Sequence, residues 1–354
     1  MIEIQECLHS AVGKDASDIF IGVGRSISFK IDGALIPQDG NIVLPGDAEK
    51  MLTDLYAMAR RPMNKYIEKG DDDFPVSIPN LARFRVSAYR QRGTMAAIIR
   101  VVLFDIPNYK EFNIPDEVMK IASENHGLVL VTGAAGSGKT TTLACIIHAI
   151  NQTRNCHIIT LEDPIEFLHR DNKSLISQRE ISTDTESYIS ALRACLRQAP
   201  DIILLGEMRD YETIKSAMTA AETGHLIIST LHTIGAVSTI DRIIDVFPSE
   251  QQQQIRVQLP MVLQTVVTQQ LLPTVEGGLT PAFEIMHLNT AIRNLIREIK
   301  THQIDGIIQT SAHEGMVSMD TSILKLFQSG QITADTAMRY SINSEVMSRR
   351  IKGG

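Results

Sequence analysis

Residues 133–140 read Gly-Ala-Ala-Gly-Ser-Gly-Lys-Thr, and they constrain the fold more than any other stretch. They match G-x-x-x-x-G-K-[ST], a loop whose backbone N–H groups wrap phosphate oxygens, with glycine wherever a Cβ would block the approach. The context is the one the motif requires. An apolar run at 128–132 predicts a strand before it, and 141–149 predicts a helix whose N-terminus faces the anion. The expected nucleotide-binding set is therefore Gly133, Ala134, Ala135, Gly136, Ser137, Gly138, Lys139, Thr140 and Thr141. In it Lys139 reaches the β and γ oxygens, and the Thr140 hydroxyl ligates Mg²⁺. The implied ligand is a nucleoside triphosphate with Mg²⁺.

Further apolar runs at 158–161, 202–205 and 226–231 alternate with helical patterns, which predicts parallel strands joined by helices. In open α/β sheets ligands bind beyond the C-terminal ends of such strands. The run 202–205 delivers Glu207 there, placed to hold Mg²⁺ through water. The run 158–161 ends in Glu162-Asp163-Pro164-Ile165-Glu166, whose three carboxylates could orient or deprotonate an attacking water. The run 226–231 lies between His225 and His232. At ~3.3 Å per residue the two rings are about 23 Å apart and share no ligand. His232, at the C-terminal end, is the γ-phosphate sensor candidate, whereas His225 braces the opposite end.

Before residue 104 the pattern is different. Short amphipathic pieces are punctuated by Pro45-Gly46, Arg61-Pro62 and Gly70, and Asp71-Asp72-Asp73 reads as a solvated turn. Residues 27–33 read as a strand and 46–59 as a helix. From Arg83 to Arg100 there are five arginines and no acid. Residues 83–89 alternate as a half-buried strand, 91–94 read as a turn and 95–102 as the returning strand. A hairpin centred on that turn sets Arg85 opposite Arg100, a like-charge pair that a shared anion would relieve. Residues 104–115, with two prolines and no clean period, read as a linker. The expected domains are 1–103, the linker 104–115, and 116–354 with its last ~90 residues mostly helical.

The chain has 354 residues and a formal net charge of -7, with 14 basic and 15 acidic residues before position 113. Neither half is basic, which weighs against a nucleic-acid motor. Cys7, Cys145, Cys156 and Cys195 form no CxxC pair and no zinc spacing with the ten histidines. The N-terminus has no signal-peptide pattern and no apolar run reaches ~18 residues, so a soluble intracellular chain without a transmembrane segment is expected.

GAAGSGKT, ITLEDPIEF, GEMRDYETI with AAETGH, STLHT and AIRNLIRE at 291–298 together resemble the motor ATPases of type II and type IV secretion and of type IV pili, most closely the pilus retraction branch. The resemblance implies an N-terminal PAS-like α+β domain, a RecA-like P-loop ATPase domain with a helical C-terminal region, and a homo-hexameric ring. It implies ATP hydrolysis with Mg²⁺ that drives pilus retraction and twitching motility at the cytoplasmic face of the inner membrane, against a membrane platform protein. It assigns Glu166 as catalytic base, Glu207 as the Walker B glutamate, His232 as the end of the His box, and Arg85 and Arg100 as fingers for the neighbouring subunit. The alternatives are a pilus extension or type II secretion assembly ATPase, and a nucleotide-gated regulatory ring with little turnover. Relatives that drive extension carry a tetracysteine zinc module, which four scattered cysteines cannot supply. In 291–298, Ile292, Leu295, Ile296 and Ile299 follow a buried-stripe spacing, leaving Arg293, Asn294, Arg297 and Glu298 outward as an expected coupling surface.

Overall fold

The computed structural model describes residues 3–31, 33–38, 40, 42–79, 81–102 and 106–352. It divides into two compact units, Met1–Asp105 with Glu166–Leu168, and Ile106–Ile165 with His169–Gly354. Among the described residues no helix is long and apolar enough to cross a membrane.

The first unit contains α1 (Ile4–Gly13), β1 (Asp18–Gly22), β2 (Ser28–Ile31), β3 (Ala34–Pro37), α2 (Pro45–Met58), α3 (Asn64–Lys69), β4 (Asp71–Ile78), β5 (Ala82–Gln91) and β6 (Thr94–Val102). Its strands form one antiparallel sheet in the order β3-β2-β1-β6-β5-β4. The β5–β6 hairpin turns through Arg92 and Gly93, both at positive φ, the twist that two-residue hairpins favour. Its register pairs Arg85 with Arg100, as the turn-centred reading expects. Every second residue of β5 is buried, and its inner face meets Leu52, Leu55 and Tyr56 of α2 in one apolar cluster. Pro45-Gly46 opens α2 rather than forming a turn, because proline is pre-set for a first helical turn. The helix expected at 46–59 and the strand at 27–33 correspond to α2 and β2, with Asp32 outside the described residues.

Asp71-Asp72-Asp73 is not a solvated turn. It begins β4, and strand alternation turns Asp72 inward to 3% exposure. The buried carboxylate is matched by Arg61 Nη2 at 3.0 Å, Lys65 Nζ at 2.8 Å and the Tyr56 hydroxyl at 3.2 Å.

The second unit opens with α4 (Asp116–Met119), β7 (Gly127–Thr132), α5 (Lys139–Thr153), β8 (His157–Glu162), β9 (Leu175–Glu180), α6 (Tyr188–Cys195) and β10 (Ile202–Leu205). It continues through α7 (Tyr211–Glu222), β11 (Leu226–Leu231), α8 (Ala236–Asp245), α9 (Ser249–Val262), β12 (Leu263–Pro273) and β13 (Leu279–His287). The sheet order is β13-β12-β7-β11-β10-β8-β9, all parallel except β13. The four apolar runs are its central strands, fully buried because helices cover both faces. Successive crossovers leave β7 on one side and return on the other, which makes the end of β7 a topological switch point.

Phe104 and Asp105 of the expected linker lie outside the described residues. Residues 106–115 are a folded turn within the second unit: Ile114 is buried, its N–H donates to Tyr109 O at 2.9 Å, and the Cys145 thiol donates to Pro107 O. The last ~90 residues are not mostly helical from their start, since β12 and β13 form a hairpin on the sheet edge. Helices then follow as α10 (Thr290–Arg297), α11 (Ile304–Thr310), α12 (Met319–Gln328), α13 (Ala334–Tyr340) and α14 (Ser344–Lys352).

In α10, Ile292 and Ile296 are buried and Leu295 is half-buried, but Ile299 lies past the helix end and is 60% exposed. Arg293 does not point outward either. Its guanidinium donates to Pro260 O and, at 3.5 Å, to Leu288 O. Pro260 sits in the last turn of α9, where carbonyls lack intrahelical partners. Burial of this side chain lowers the Arg293 pKa. Asn294, Arg297 and Glu298 do face solvent.

Candidate functional site

The loop between β7 and α5 is shaped by its glycines. Gly133, Gly136 and Gly138 have φ of 142°, 76° and 86°. A Cβ on Gly133 would lie 2.3 Å from the Gln269 carbonyl oxygen, and one on Gly138 would lie 2.7 Å from Gln269 Nε2. The bracing strand is β12. The Gln269 side chain accepts from Thr142 Oγ1 at 2.7 Å, and the Thr132 and Thr268 hydroxyls meet at 2.8 Å. Lys139 is buried, and its ammonium donates to the carbonyls of Gly133 at 2.9 Å and Ala134 at 2.8 Å, folded onto the loop it would share with a phosphate. Ser137 Oγ is buried without a hydrogen-bond partner. A loop with three glycines at positive φ, a buried cation and an orphan hydroxyl fit a polyphosphate. Ala134, Ala135 and Gly136 are exposed along its outer side, with Thr140 and Thr141 half-buried at the helix start.

The ends of β7, β11, β10 and β8 stand side by side, neighbouring strands ~4.8 Å apart. Glu207 and His232 meet just beyond them. Glu207 Oε2 accepts from Arg209 Nε at 2.6 Å and lies 3.5 Å from His232 Nε2. They face a cavity of about 330 Å³ that also includes Arg209 and Arg242. Gly206, just before Glu207, is held from two sides: its N–H donates to Leu161 O at 2.7 Å and its carbonyl accepts from Thr230 Oγ1 at 2.5 Å. Beside it, burial raises the Tyr188 pKa, reinforced by the charges of Glu207, Asp163 and Glu162. His225 sits at the opposite end of β11, its Nδ1 3.0 Å from Ala220 O and 3.2 Å from Thr223 Oγ1.

Of the three carboxylates after β8, Glu162 is buried and accepts from Thr160 Oγ1 at 2.5 Å and Gln178 Nε2 at 3.1 Å. Gln178 also accepts the His169 N–H at 2.8 Å, and Glu180 accepts the Ile165 N–H at 3.1 Å. Edge strand β9 thus pins both ends of the 163–168 loop. Burial, with His148 adding, pushes the His169 pKa down to about 4, so its ring is neutral. Asp163 and Glu166 are exposed. Glu166 groups with the first unit, as do Arg85 and Arg100.

Arg85 is half-buried and, among the described residues, its side chain makes no hydrogen bond or ion pair. Arg100 is bound within its own sheet, Nε to Asp18 Oδ1 at 3.1 Å. Asp18 therefore relieves the like-charge pairing from one side, a contribution the hairpin alone does not reveal.

The sequence reading missed the supporting residues: Gln269, Gln178, Glu180, Tyr188 and Arg209. Only Arg209 carried a local signal, two positions after Glu207. The others act from strands and helices far away along the chain.

Residues 1–311 match the family model described as "Type II/IV secretion system protein". The chain is 48% identical over 284 residues to a "Twitching motility protein" of Neisseria gonorrhoeae, covering 80% of this chain and 76% of that one. It is 41% identical over 338 residues to the "Type IV pilus retractation ATPase PilT" of Pseudomonas aeruginosa, covering 95% and 97%. The crystal structure of the pilus retraction motor PilT with bound ADP superposes with a TM-score of 0.91 at 41% identity, over 99% of this chain and 100% of that one. With its phosphate loop, acidic strand end and histidine at the C-terminal ends of neighbouring strands, and a family model matching residues 1–311, this chain belongs to the type II/IV secretion system protein family.

Proposed function

We propose that this chain is an ATPase motor that converts ATP hydrolysis into retraction of type IV pili, and so into twitching motility. The observation that carries the ATPase reading is that the C-terminal ends of neighbouring central strands carry both a phosphate loop with a buried lysine and the Glu207–His232 pair. The retraction reading rests on likeness to retraction motors over nearly the whole chain.

In this reading residues 133–141 bind the triphosphate, Thr140 and Glu207 hold Mg²⁺, and His232 contacts the γ-phosphate. Thr140 offers a hydroxyl and Glu207 a carboxylate, the oxygen donors that Mg²⁺ prefers. Held there, Mg²⁺ would supply positive charge against the charge that develops on the transferred phosphoryl group. Glu166 takes the proton of the attacking water; its exposed carboxylate has no competing partner among the described residues. Glu162, tied to Thr160 and Gln178, is the poorer base.

The finer architecture belongs to the same proposal: a PAS-like domain over 1–103 and a RecA-like domain with a helical C-terminal region over 116–354, connected through 104–115, of which 106–115 folds onto the second unit. Six copies form a ring in which Arg85 and Arg100 serve the neighbour's nucleotide. The ring works at the cytoplasmic face of the inner membrane against a pilus platform protein. Deletion followed by counting surface pili tests the reading. Accumulated immobile filaments are expected, and bald cells would mean extension. Purified protein that binds ATP without releasing phosphate would make it a regulatory ring.

A further inference from the structure

Residues 339–352 carry four cations and one acid, on a chain whose net charge is -7. Helix dipoles account for part of this. The first turns of α12, α13 and α14 contain Asp320, Asp335 and Glu345, and each last turn contains a cation. One cation suffices for that purpose, and α12 and α13 have one each, Lys325 and Arg339. α14 has three, Arg349, Arg350 and Lys352. All three are exposed, and among the described residues their side chains make no hydrogen bond or ion pair. The helix that presents them is held firmly. Met347 and Ile351, four positions apart, pack into the apolar cluster of α12 and α13. Asn343 Oδ1 caps α14 at the Val346 N–H, 3.0 Å away. Asp320 fixes the preceding turn through the N–H groups of Ile342 at 2.7 Å and Asn343 at 3.1 Å. On the outer face the i, i+3, i+4 spacing sets Val346, Arg349 and Arg350 side by side. Val346 and Ile342 are apolar side chains that stand 37% and 66% exposed.

We propose that the outer face of α14 docks on an anionic lipid surface, with Arg349, Arg350 and Lys352 among the headgroups and Val346 beside them. The inference rests on the reading above for the presence of a membrane at the motor, and deepens it by naming the contact. Cations around an exposed apolar side chain suit a headgroup layer, where charge meets lipid phosphate while the apolar surface leaves water. Three cations on one helix end are too short a track for nucleic acid, whose binders neutralise more phosphates along a groove. Each basic residue near an anionic surface is worth about fivefold in partitioning, so three give about 10²-fold. That is weak for a single chain. A cyclic ring presents every copy of α14 on the same side, so the copies bind the surface together.

The test is co-sedimentation of the full-length protein, without nucleotide, with vesicles of phosphatidylcholine alone and of phosphatidylcholine mixed with phosphatidylglycerol. Wild type is expected to bind the mixed vesicles about 10²-fold or more tightly than the neutral ones, and less as salt is raised. Arg349→Gln with Arg350→Gln should weaken that binding about 25-fold or more, with melting temperature and phosphate release in solution unchanged. Arg349→Lys with Arg350→Lys should keep it, because a lipid surface reads charge rather than the planar fork of a guanidinium. Equal binding to both kinds of vesicle, or full binding by the glutamine variant, overturns the proposal. Protein that ignores the vesicles and is captured by polyglutamate also overturns it, in favour of an acidic polypeptide at α14. Failure here leaves the ATPase and retraction reading standing, and a chain that releases no phosphate leaves the lipid contact standing.

Discussion

Gly206→Ala tests the packing beneath Glu207. A Cβ at this position would lie 2.6 Å from the Tyr188 hydroxyl, 3.2 Å from Leu161 O and 3.5 Å from Glu162 Cα. The hydroxyl is thus about 0.8 Å inside ordinary contact, and the glycine backbone cannot retreat without losing its hydrogen bonds to Leu161 and Thr230. Overpacking of this kind costs about 1–3 kcal/mol. Gly206 is not at positive φ, so the substitution also gains ~0.4–1 kcal/mol by restricting the unfolded chain. The expected net loss is about 1–2 kcal/mol, or ~2–8 °C in the melting of the second unit. Tyr188→Phe removes the offending atom and leaves only the milder contact with Leu161 O. Gly206→Ala in that background should therefore be close to neutral, with a coupling of about 1–2 kcal/mol between the two sites. Scanning calorimetry of wild type, both single variants and the double variant measures that coupling. Phosphate release reads the same geometry, because Glu207 follows Gly206 directly: turnover should fall in Gly206→Ala and recover in the double variant. Additive stability losses, with a coupling below ~0.3 kcal/mol, would refute the steric argument.

Glu166→Gln should keep Mg·ATP affinity and nearly abolish turnover, whereas Lys139→Ala should weaken binding itself; near-normal turnover in Glu166→Gln would move the base to Asp163 or Glu162. Arg85→Ala should lower turnover by up to about 10³–10⁵-fold with little change in ATP affinity. Activity should partly return when that protein is mixed with Glu166→Gln, and a co-assembled mixture as inactive as its parts would end the reading in trans. Arg100→Ala is a less selective probe, because it also leaves Asp18, with its side chain only 8% exposed, without its cation. Arg293→Ala should lower melting by removing the donor to Pro260 O, while Arg297→Ala should spare both stability and ATPase activity in solution but stop retraction. Normal pilus retraction with Arg297→Ala would dismiss the coupling role of this helix.

Local rules carried the reading a long way. The phosphate loop is legible because its chemistry is written within eight consecutive residues, and each glycine answers to a backbone demand within the loop. The central strands were legible because complete burial makes an uninterrupted apolar run, and such a run also announces where Glu207 and His232 emerge. The hairpin register followed from the turn, since two-residue turns fix pairing geometry. Other features depend on what lies across space. Asp72 looked like part of a solvated acidic turn until β4 turned it toward Arg61, Lys65 and Tyr56. Arg293 looked outward until α9 presented an unpaired carbonyl. Gln269 meets Thr142 across 127 positions, and Asp18 meets Arg100 across 82. The turn at 106–115 read as a linker because one of its anchors, the Cys145 thiol of α5, lies 38 positions from Pro107. Periodicity reports only whether a side chain faces a neighbour; which neighbour it faces is decided by strand order and register, and those are properties of the whole sheet.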